Sequence, residues 1–232
     1  MSDPSADIVV VAMARTPFGR FEGALKTLTA PHLGALAMDA ARGRAGLAPT
    51  EIDVVYAGVG MIGSGRLTPV RQAVLLSQLS ETTPSASVDR ACCSGMTAIG
   101  MGMREIRCGE ARTALCGGFE SLSQTPLLWP RQRERRVGDI VATDPLLMRG
   151  LIVDRPIPVY SGEEALRHGI DRRQQDEWAV MSHRRYFAAD ATGYFDAERF
   201  AIEADDDKGR SRIITADESP RADTDLNKLA AL

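Results

Sequence analysis

The segment DRACCSGMTAIGMGMREIRCGE, residues 89–110, places strong limits on the fold. Large apolar residues recur in it at helical spacing, so one side of the predicted helix is apolar. These residues are Met96, Ile99, Met103 and Ile106. The other positions are mostly small and include glycines, each of which costs about 1 kcal/mol against alanine inside a helix. Such a helix suits a place where neighbouring backbones approach closely. We therefore expect a buried central helix that begins beside Cys92 and Cys93.

A cysteine at the start of a helix has particular chemistry. The N–H groups and the dipole at that end favour the thiolate over the thiol. A thiolate attacks thioesters and other acyl groups, and the same N–H groups stabilise a developing oxyanion. Cys92 is therefore the candidate nucleophile, although a cysteine is about as often a small buried apolar residue. Cys108 and Cys116 are expected in the core, and the spacing of the three histidines indicates no local cysteine–histidine pair.

Strand and helix patterns alternate around this segment. β-Branched and apolar runs predict strands at residues 7–12, 51–60, 84–90 and 111–118, and helical patterns predict helices at 30–46, at 69–80 and up to Cys108. The order β-α-β-α-β-α-β predicts an α/β fold with a largely parallel or mixed sheet covered by helices. Cys92 then follows a strand directly, at the sheet end where open α/β folds place their sites.

The pattern changes after Glu120, where prolines and a basic run at residues 131–136 appear. Helical patterns predict helices at 162–168 and 171–191, and one strand is predicted at 211–215. Asp171 and Gln174 stand at the spacing of a capping box. We therefore divide the chain into a core half, residues 1–120, and a mostly helical or irregular domain, residues 121–232.

Composition argues against several classes of partner. A net charge of −3 gives no electrostatic reason for nucleic-acid binding, so the basic run at 131–136 is expected to be a solvated loop. No apolar run approaches the ~18 residues of a membrane span. The four cysteines do not follow zinc-site spacing, and no secretory signal precedes them. These features predict a cytoplasmic protein with reduced thiols, without a metal and without a membrane partner.

Six segments carry a more specific resemblance. In chain order they are ARTPFGRFEGAL, TPVRQAVLLSQL, SVDRACCSGMTAIGMGMREIRCGEA, ALCGGFESLSQTP, HGIDRRQQDEWAVMSHRR and DESPRADTDLNKLAAL. Together they resemble, nearly end to end, the N-terminal part of the thiolase family, the acetyl-CoA acetyltransferases and 3-ketoacyl-CoA thiolases. Each motif alone is weak and the ordered set is specific. The resemblance implies a thiolase-like βαβαβαβ layered half-fold followed by a CoA-binding loop domain.

The resemblance also implies an activity, that of an acyl-CoA acyltransferase. In such a ping-pong reaction an acyl-CoA acylates Cys92, and thiolysis or Claisen condensation of acyl-CoA esters completes the cycle. Leu151, Arg221 and Lys228 fall at or near positions that line the CoA site in relatives. The resemblance implies no cofactor, since coenzyme A esters are the substrates. It implies acyl-CoA or CoA as small-molecule partners, and a homo-oligomer or a complementary thiolase half as protein partner.

The sequence also departs from the family pattern. Cys93 stands where the family usually has glycine or another small residue, and Tyr160-Ser161-Gly162 stands where many relatives have His-Met-Gly. The Gly-His-Pro motif, which supplies an activating histidine in the family, does not occur in these residues, and the family's acid/base cysteine belongs to a Cys-x-Gly motif of the C-terminal half. We therefore expect the cycle to need the C-terminal half of the fold. One alternative is a non-catalytic, thiolase-like assembly subunit. A ketoacyl-synthase relative using a carrier protein is less favoured, because the large loop domain is a thiolase feature.

Overall fold

The computed structural model describes residues 7–61, 63, 66–129, 141–147 and 154–232. The chain divides into two compact units. The first consists of Met1–Pro126 with Glu198–Ala216, and the second of Leu127–Ala197 with Asp217–Leu232. The domain division predicted after residue 120 stays a prediction.

A parallel three-stranded sheet forms the centre of the first unit. Its strands are β1 (Val54–Gly58), β2 (Ser85–Val88) and β3 (Ala114–Gly118), in the order β2-β1-β3. The helix α2 (Pro69–Leu76) connects β1 to β2, and α3 (Ser94–Cys108) connects β2 to β3. Parallel neighbours joined through helices are the arrangement that the alternating pattern predicts. The α/β fold class is thus confirmed.

Helices cover both faces of this sheet. On one face α1 (Ala30–Ala45) and α2 bury the apolar core, in which Val55 and Ala57 of β1 are 0% and 1% exposed. Met38, Val70 and Val74 complete this cluster from the two helices. The residues of β1 that alternate with Val55 and Ala57 face α3 instead. Short 3₁₀ turns at Pro49–Glu51 and Leu122–Gln124 precede β1 and follow β3.

The helix α3 is buried on one side only. Its buried residues are Ser94, Ala98 and Gly102, one helical turn apart. The large apolar residues lie on the other side, where Met96 is 76% exposed and Ile99 is 50% exposed. The predicted burial of this helix is therefore found only on the side of its small residues, and the expectation is wrong for the side of Met96 and Ile99. Small residues bring the helix onto the sheet, and the apolar stripe faces outward.

The strand predicted at residues 7–12 does not form. This segment is irregular, and Val9, Val10 and Val11 are 70%, 83% and 69% exposed. A strand needs a hydrogen-bonded neighbour, and the described residues supply none to this segment before Arg15. Arg15 makes an isolated bridge with Arg199, and its N–H donates to the Glu198 carbonyl at 2.8 Å. The β-branched residues at 7–12 thus have the propensity for a strand but no neighbouring strand, among the described residues, with which to pair.

An antiparallel hairpin completes the first unit. It consists of β4 (Ile202–Asp205) and β5 (Ser211–Ile214), of which only the second was predicted. Ile202 and Ala204 are 3% exposed and pack with Leu25 and Leu33. The alternation of buried and exposed residues in β4 is the usual pattern of a one-sided strand.

Helices make up most of the described part of the second unit. They are α4 (Ile157–Arg167), α5 (Arg172–Asp190) and α6 (Leu226–Ala230), with a 3₁₀ turn at Pro145–Leu147. The predicted capping box is present, because Asp171 Oδ1 accepts from the Gln174 N–H at 2.8 Å and Gln174 Oε1 accepts from the Asp171 N–H at 2.9 Å. The helix α4 begins earlier than predicted, since a proline fits a first turn. The basic run at 131–136 lies outside the described residues.

Candidate active site

Cys92 lies in the loop between β2 and α3, at the carboxyl end of the parallel sheet. Cys92 and Cys93 are both exposed. Cys93 is the N-cap residue of α3, and its side chain makes no capping hydrogen bond. The Ser94 N–H is bonded to the Ala91 carbonyl, so this end of the helix acts on nearby groups through its dipole and through the N–H groups that follow Ser94. The predicted nucleophile thus stands at the predicted start of the helix.

Side chains of the loop itself fix its backbone. Asp89 Oδ1 accepts from the Ala91 N–H at 3.0 Å. The buried Ser94 accepts from the Arg90 N–H at 2.8 Å and donates to the Ala91 carbonyl at 2.7 Å. Ala91 has φ of 49°, in the left-handed region that a residue with a side chain rarely adopts. Cys92 follows this strained residue directly.

Glycines allow the start of α3 to approach the sheet. A Cβ on Gly58, the last residue of β1, would lie 2.5 Å from the Ser94 Cβ. The loop after β1 also comes close to the loop that carries Cys92, because a Cβ on Gly60 would lie 3.7 Å from the Ala91 Cα. Glu120 fixes that loop, since its Oε2 accepts from the Gly60 N–H at 2.8 Å. The loops after β1, β2 and β3 therefore meet beside Cys92.

A polar contact holds the opposite end of α3. The Tyr56 hydroxyl donates to Glu105 Oε1 at 2.5 Å. This hydrogen bond, with burial as a smaller cause, raises the pKa of Tyr56 to about 12. Burial also raises the pKa of the Cys116 thiol, which packs where Gly102 leaves room. Cys116 is only half-buried and Cys108 is exposed, so the expectation that both lie in the core is wrong for Cys108.

The three histidines have partners of their own. In the first unit His32 Nδ1 shares a 2.7 Å hydrogen bond with Thr29 Oγ1. In the second unit His168 lies 3.8 Å from Glu164, and His183 Nδ1 accepts from the Arg221 N–H at 3.2 Å. None of these contacts is a cysteine–histidine pair. A general base for Cys92 therefore cannot be assigned from the described contacts of these histidines.

Two of the three predicted CoA residues lie in the described part of the second unit. Arg221 is exposed, and its backbone is held by the bond to His183. Lys228 Nζ donates to Asp223 Oδ2 at 2.7 Å, a bond that raises the pKa of the lysine and lowers that of the aspartate. Leu151 lies outside the described residues. The assignment of these residues to a CoA site stays a prediction.

A cavity of about 810 Å³ lies elsewhere, along the outer edge of β2. Its lining includes Arg71, Glu81 and Ser87, and Cys92 is not part of it. Among the residues that the structure describes, no cluster of three or more His, Cys, Asp or Glu side chains is arranged to hold a metal ion. No helix in the described ranges is long and apolar enough to span a membrane.

Ser94 and Asp89 are the residues of this site that sequence reasoning missed. Ser94 counted only as one of the small residues of the helix. A usable signal was present, because serine and aspartate at the ends of helices often hydrogen-bond nearby backbone groups. Asp89 and Ser94 flank the two cysteines, and both use their side chains in this way.

Comparisons with known proteins agree with this architecture. Residues 8–232 match the family described as "Thiolase, N-terminal domain". An acetyl-CoA acetyltransferase of Allochromatium vinosum is 33% identical over 230 residues, which cover 97% of this chain and 58% of that protein. The crystal structure of human mitochondrial 3-ketoacyl-CoA thiolase superposes with a TM-score of 0.88 at 34% identity, covering 96% of this chain and 57% of that one.

A second solved structure leads to the same family. It is the Bacillus anthracis acetyl-CoA acetyltransferase, with a TM-score of 0.90 at 29% identity, and it covers 97% of this chain and 57% of that one. The chain thus spans less than three fifths of the length of the relatives it matches. The match along the sequence and the similarity of fold coincide over nearly all of its residues. The chain belongs to the thiolase family.

Proposed function

We propose that this chain is the nucleophile-bearing part of a thiolase-type acyl-CoA acyltransferase, with Cys92 as the residue that accepts the acyl group. The observation that carries the proposal is the placement of an exposed Cys92 at a strand-to-helix turn, within a chain that matches the thiolase N-terminal domain from residue 8 to residue 232. The relatives named acetyl-CoA acetyltransferase support this reaction class.

The first half-reaction follows from the chemistry of Cys92. Its thiolate attacks the thioester carbonyl of an acyl-CoA, and a C–S bond forms as the carbonyl π electrons move to oxygen. N–H groups at the start of α3 lie at the end of the helix that favours negative charge, so they suit the developing oxyanion. Collapse of this intermediate breaks the original C–S bond. The acyl group stays on Cys92, and CoA leaves as a thiolate that takes up a proton.

The second half-reaction needs groups that these residues do not contain. In thiolysis of a 3-ketoacyl-CoA, Cys92 instead attacks the 3-keto carbonyl, the C2–C3 bond breaks as C2 takes up a proton and leaves as acetyl-CoA, and a CoA thiol then accepts the acyl group. In Claisen condensation the α-carbon of a second acyl-CoA loses a proton and attacks the acyl group, and Cys92 leaves as a thiolate. In the family an activating histidine in a Gly-His-Pro motif and an acid/base cysteine in a Cys-x-Gly motif of the C-terminal half serve these steps, and no Gly-His-Pro occurs here. We assign both groups to a complementary C-terminal half. No separate cofactor enters the scheme, since the acyl group arrives as its CoA ester.

The second unit is assigned to CoA binding. Arg221 and Lys228 are exposed cations, and CoA carries phosphates that such side chains attract. Lys228 is already paired with Asp223, so a phosphate has to compete with that carboxylate. Leu151 is assigned to the same site on the family resemblance alone. A CoA site formed partly by α6 and the preceding turn fits the fixed backbone at Lys228, whose N–H donates to Asp225 Oδ1.

The proposed protein partner is a complementary thiolase half or a further copy of the chain. Two features of the first unit support a protein partner. The outer stripe of α3 exposes Met96 and Ile99, and apolar stripes of this kind mark contact surfaces. The strand β2 stands at one end of the sheet order, which leaves one of its edges without a described neighbour. A cytoplasmic location is part of the proposal, because the chemistry of Cys92 requires a reduced thiol.

A reconstituted turnover assay tests this function. The chain is mixed with a separate chain carrying the C-terminal half of a thiolase, and thiolysis of acetoacetyl-CoA is followed in the presence of CoA. We expect turnover only with both chains present, its loss in Cys92→Ala, and its retention in the matched variant Cys93→Ala. Turnover that survives Cys92→Ala contradicts the proposal. A biological activity that Cys92→Ala leaves intact favours the non-catalytic assembly role instead.

A further inference from the structure

The hydroxyl of Ser94 joins the start of α3 to the two residues that precede Cys92. It accepts from the Arg90 N–H at 2.8 Å and donates to the Ala91 carbonyl at 2.7 Å. Two backbone bonds close the same turn, from the Cys93 N–H to the Arg90 carbonyl and from the Ser94 N–H to the Ala91 carbonyl, both 3.1 Å long. Cys92 therefore lies at the tip of a short loop whose two ends are tied together.

The hydrogen bond from Ser94 stabilises an unfavourable backbone conformation at Ala91. Its φ of 49° is unfavourable for a residue with a Cβ, so the backbone tends to rotate back. Such a rotation turns the next residue, Cys92, away from its present position. Asp89 adds a second restraint, because its carboxylate accepts from the Ala91 N–H at 3.0 Å. Both polar groups of the strained Ala91 backbone are therefore held by side chains.

The packing around Ser94 leaves its hydroxyl little freedom. Ser94 is 5% exposed, and Gly58 is the residue that leaves space for its Cβ. Thr97, one turn later, provides a contrast. Its Oγ1 donates to the Cys93 carbonyl at 2.9 Å, but that carbonyl already accepts from the Thr97 N–H at 3.0 Å. The Thr97 hydroxyl duplicates a bond of the helix, whereas the Ser94 hydroxyl ties the loop to the helix.

We infer that Ser94, together with Asp89, is a positioning residue that keeps Cys92 in its exposed position before the first turn of α3. The consequence for acyl transfer rests on the proposed function, whereas the effect on the thiol does not. A fixed Cys92 keeps its thiol at the exposed tip of the loop, and a rotation at Ala91 turns that thiol away from its exposed position. Removal of these hydrogen bonds is therefore expected to lower the reactivity of the Cys92 thiol, and to leave the reactivity of the other thiols unchanged.

Alkylation of the full chain measures this effect. Iodoacetamide modifies the chain at neutral pH, and peptide mapping gives separate rates for Cys92 and for Cys108, an exposed thiol at the other end of α3. The rate ratio of Cys92 to Cys108 is expected to fall about fivefold in Ser94→Ala and about twofold in Asp89→Ala, because Ala91 is then free to rotate and the Cys92 thiol leaves its exposed position. Thr97→Ala, which also removes a hydroxyl from the first turn, is expected to leave the ratio unchanged.

A variant that separates positioning from packing completes the test. Ser94→Thr keeps the hydroxyl but adds a methyl group beside Gly58, so the ratio is expected to stay near that of the unaltered chain even where thermal stability falls. An unchanged ratio in Ser94→Ala with a lowered melting temperature overturns the inference. If Ser94→Ala does not fold, an unchanged ratio in Asp89→Ala overturns it, since Asp89 is exposed and its loss is tolerated.

Acyl transfer is measured separately with acetyl-CoA and the complementary half. If the alkylation ratio falls in Ser94→Ala but the unaltered chain never becomes acetylated, the proposed function fails and the inference stands. If the unaltered chain becomes acetylated and the alkylation ratio does not respond to Ser94→Ala, the inference fails and the function stands. Where both hold, Ser94→Ala is expected to slow acetylation of Cys92 without changing the acetyl-CoA concentration that gives half the maximal rate.

Discussion

The two sides of α3 are built for different neighbours. The inner side consists of Ser94, Ala98 and Gly102, which are buried against the sheet. The outer side carries Met96 and Ile99, both at least half exposed. Hydrophobicity alone predicts the opposite arrangement, with the large residues inside. The difference teaches that this helix is placed by close approach of its small residues to its own sheet, while its apolar stripe stays exposed in the described chain.

The largest effect on stability is expected from a bulky side chain on the inner side of α3. A Cβ on Gly102 would lie 2.5 Å from the Cys116 Sγ and 2.9 Å from the Ala114 Cβ, so Gly102→Val forces α3 off the sheet. We expect it to lower the free energy of unfolding by about 3 kcal/mol. Gly100→Ala is the matched control, because the nearest atom to a Cβ there is Arg104 at 3.8 Å. It is expected to raise the free energy of unfolding by about 0.5–1 kcal/mol, and urea denaturation measures both.

A smaller effect is expected where the inner side is held by a polar bond. Tyr56→Phe removes the hydrogen bond to Glu105 and is expected to cost about 1 kcal/mol at neutral pH. The pKa of Tyr56 is raised from 10.0 to about 12 in the fold, so its contribution is complete below pH 10 and is lost as the pH rises towards 12. The difference in stability between the unaltered chain and the variant should therefore shrink over that range. A difference that grows with pH contradicts the assigned bond.

Asp53 aligns β3, on which the inner side of α3 packs. Its Oδ2 accepts from the N–H groups of Arg112 and Thr113 at 2.8 and 3.0 Å, and these bonds lower the pKa of the carboxyl. Asp53→Asn keeps one acceptor oxygen, so we expect a loss of about 0.5 kcal/mol at neutral pH. Because the pKa is lowered in the fold, this contribution is present above the ordinary value of 3.8 and disappears as the pH falls through the folded value. Urea denaturation at neutral and acid pH checks both expectations.

The smallest effect on the chain alone is expected from the outer side. Ile99 is 50% exposed, so Ile99→Ser should change the free energy of unfolding by no more than about 0.5 kcal/mol. The same variant is expected to weaken association with the complementary half, which sedimentation or light scattering measures. A large loss of stability in the isolated chain, or unaltered association, contradicts the assignment of this side to a partner.

Local patterns predicted most of what the chain builds by itself. The alternation of β-branched runs and helical runs predicted β1, β2, β3 and the helices between them, because each of these elements pairs or packs with elements near it along the chain. The segment at residues 7–12 has the same composition and failed as a strand, since pairing depends on a neighbour that propensity does not report. The position of Cys92 was predicted from the strand-to-helix turn. The ties from Ser94 and Asp89 were not, because they depend on φ at Ala91 and on space at Gly58.

Identification of the residue that accepts the acyl group tests the account most directly. The chain is incubated with acetyl-CoA and the complementary half, quenched in acid, digested and sequenced by tandem mass spectrometry. Cys92 and Cys93 are adjacent and both are exposed, so the fragment ions between them decide which sulfur carries the acetyl group. The account predicts acetyl on Cys92 and none on Cys93 in the unaltered chain. Acetyl on Cys93, or on neither cysteine, would contradict the assignment of Cys92 as the nucleophile.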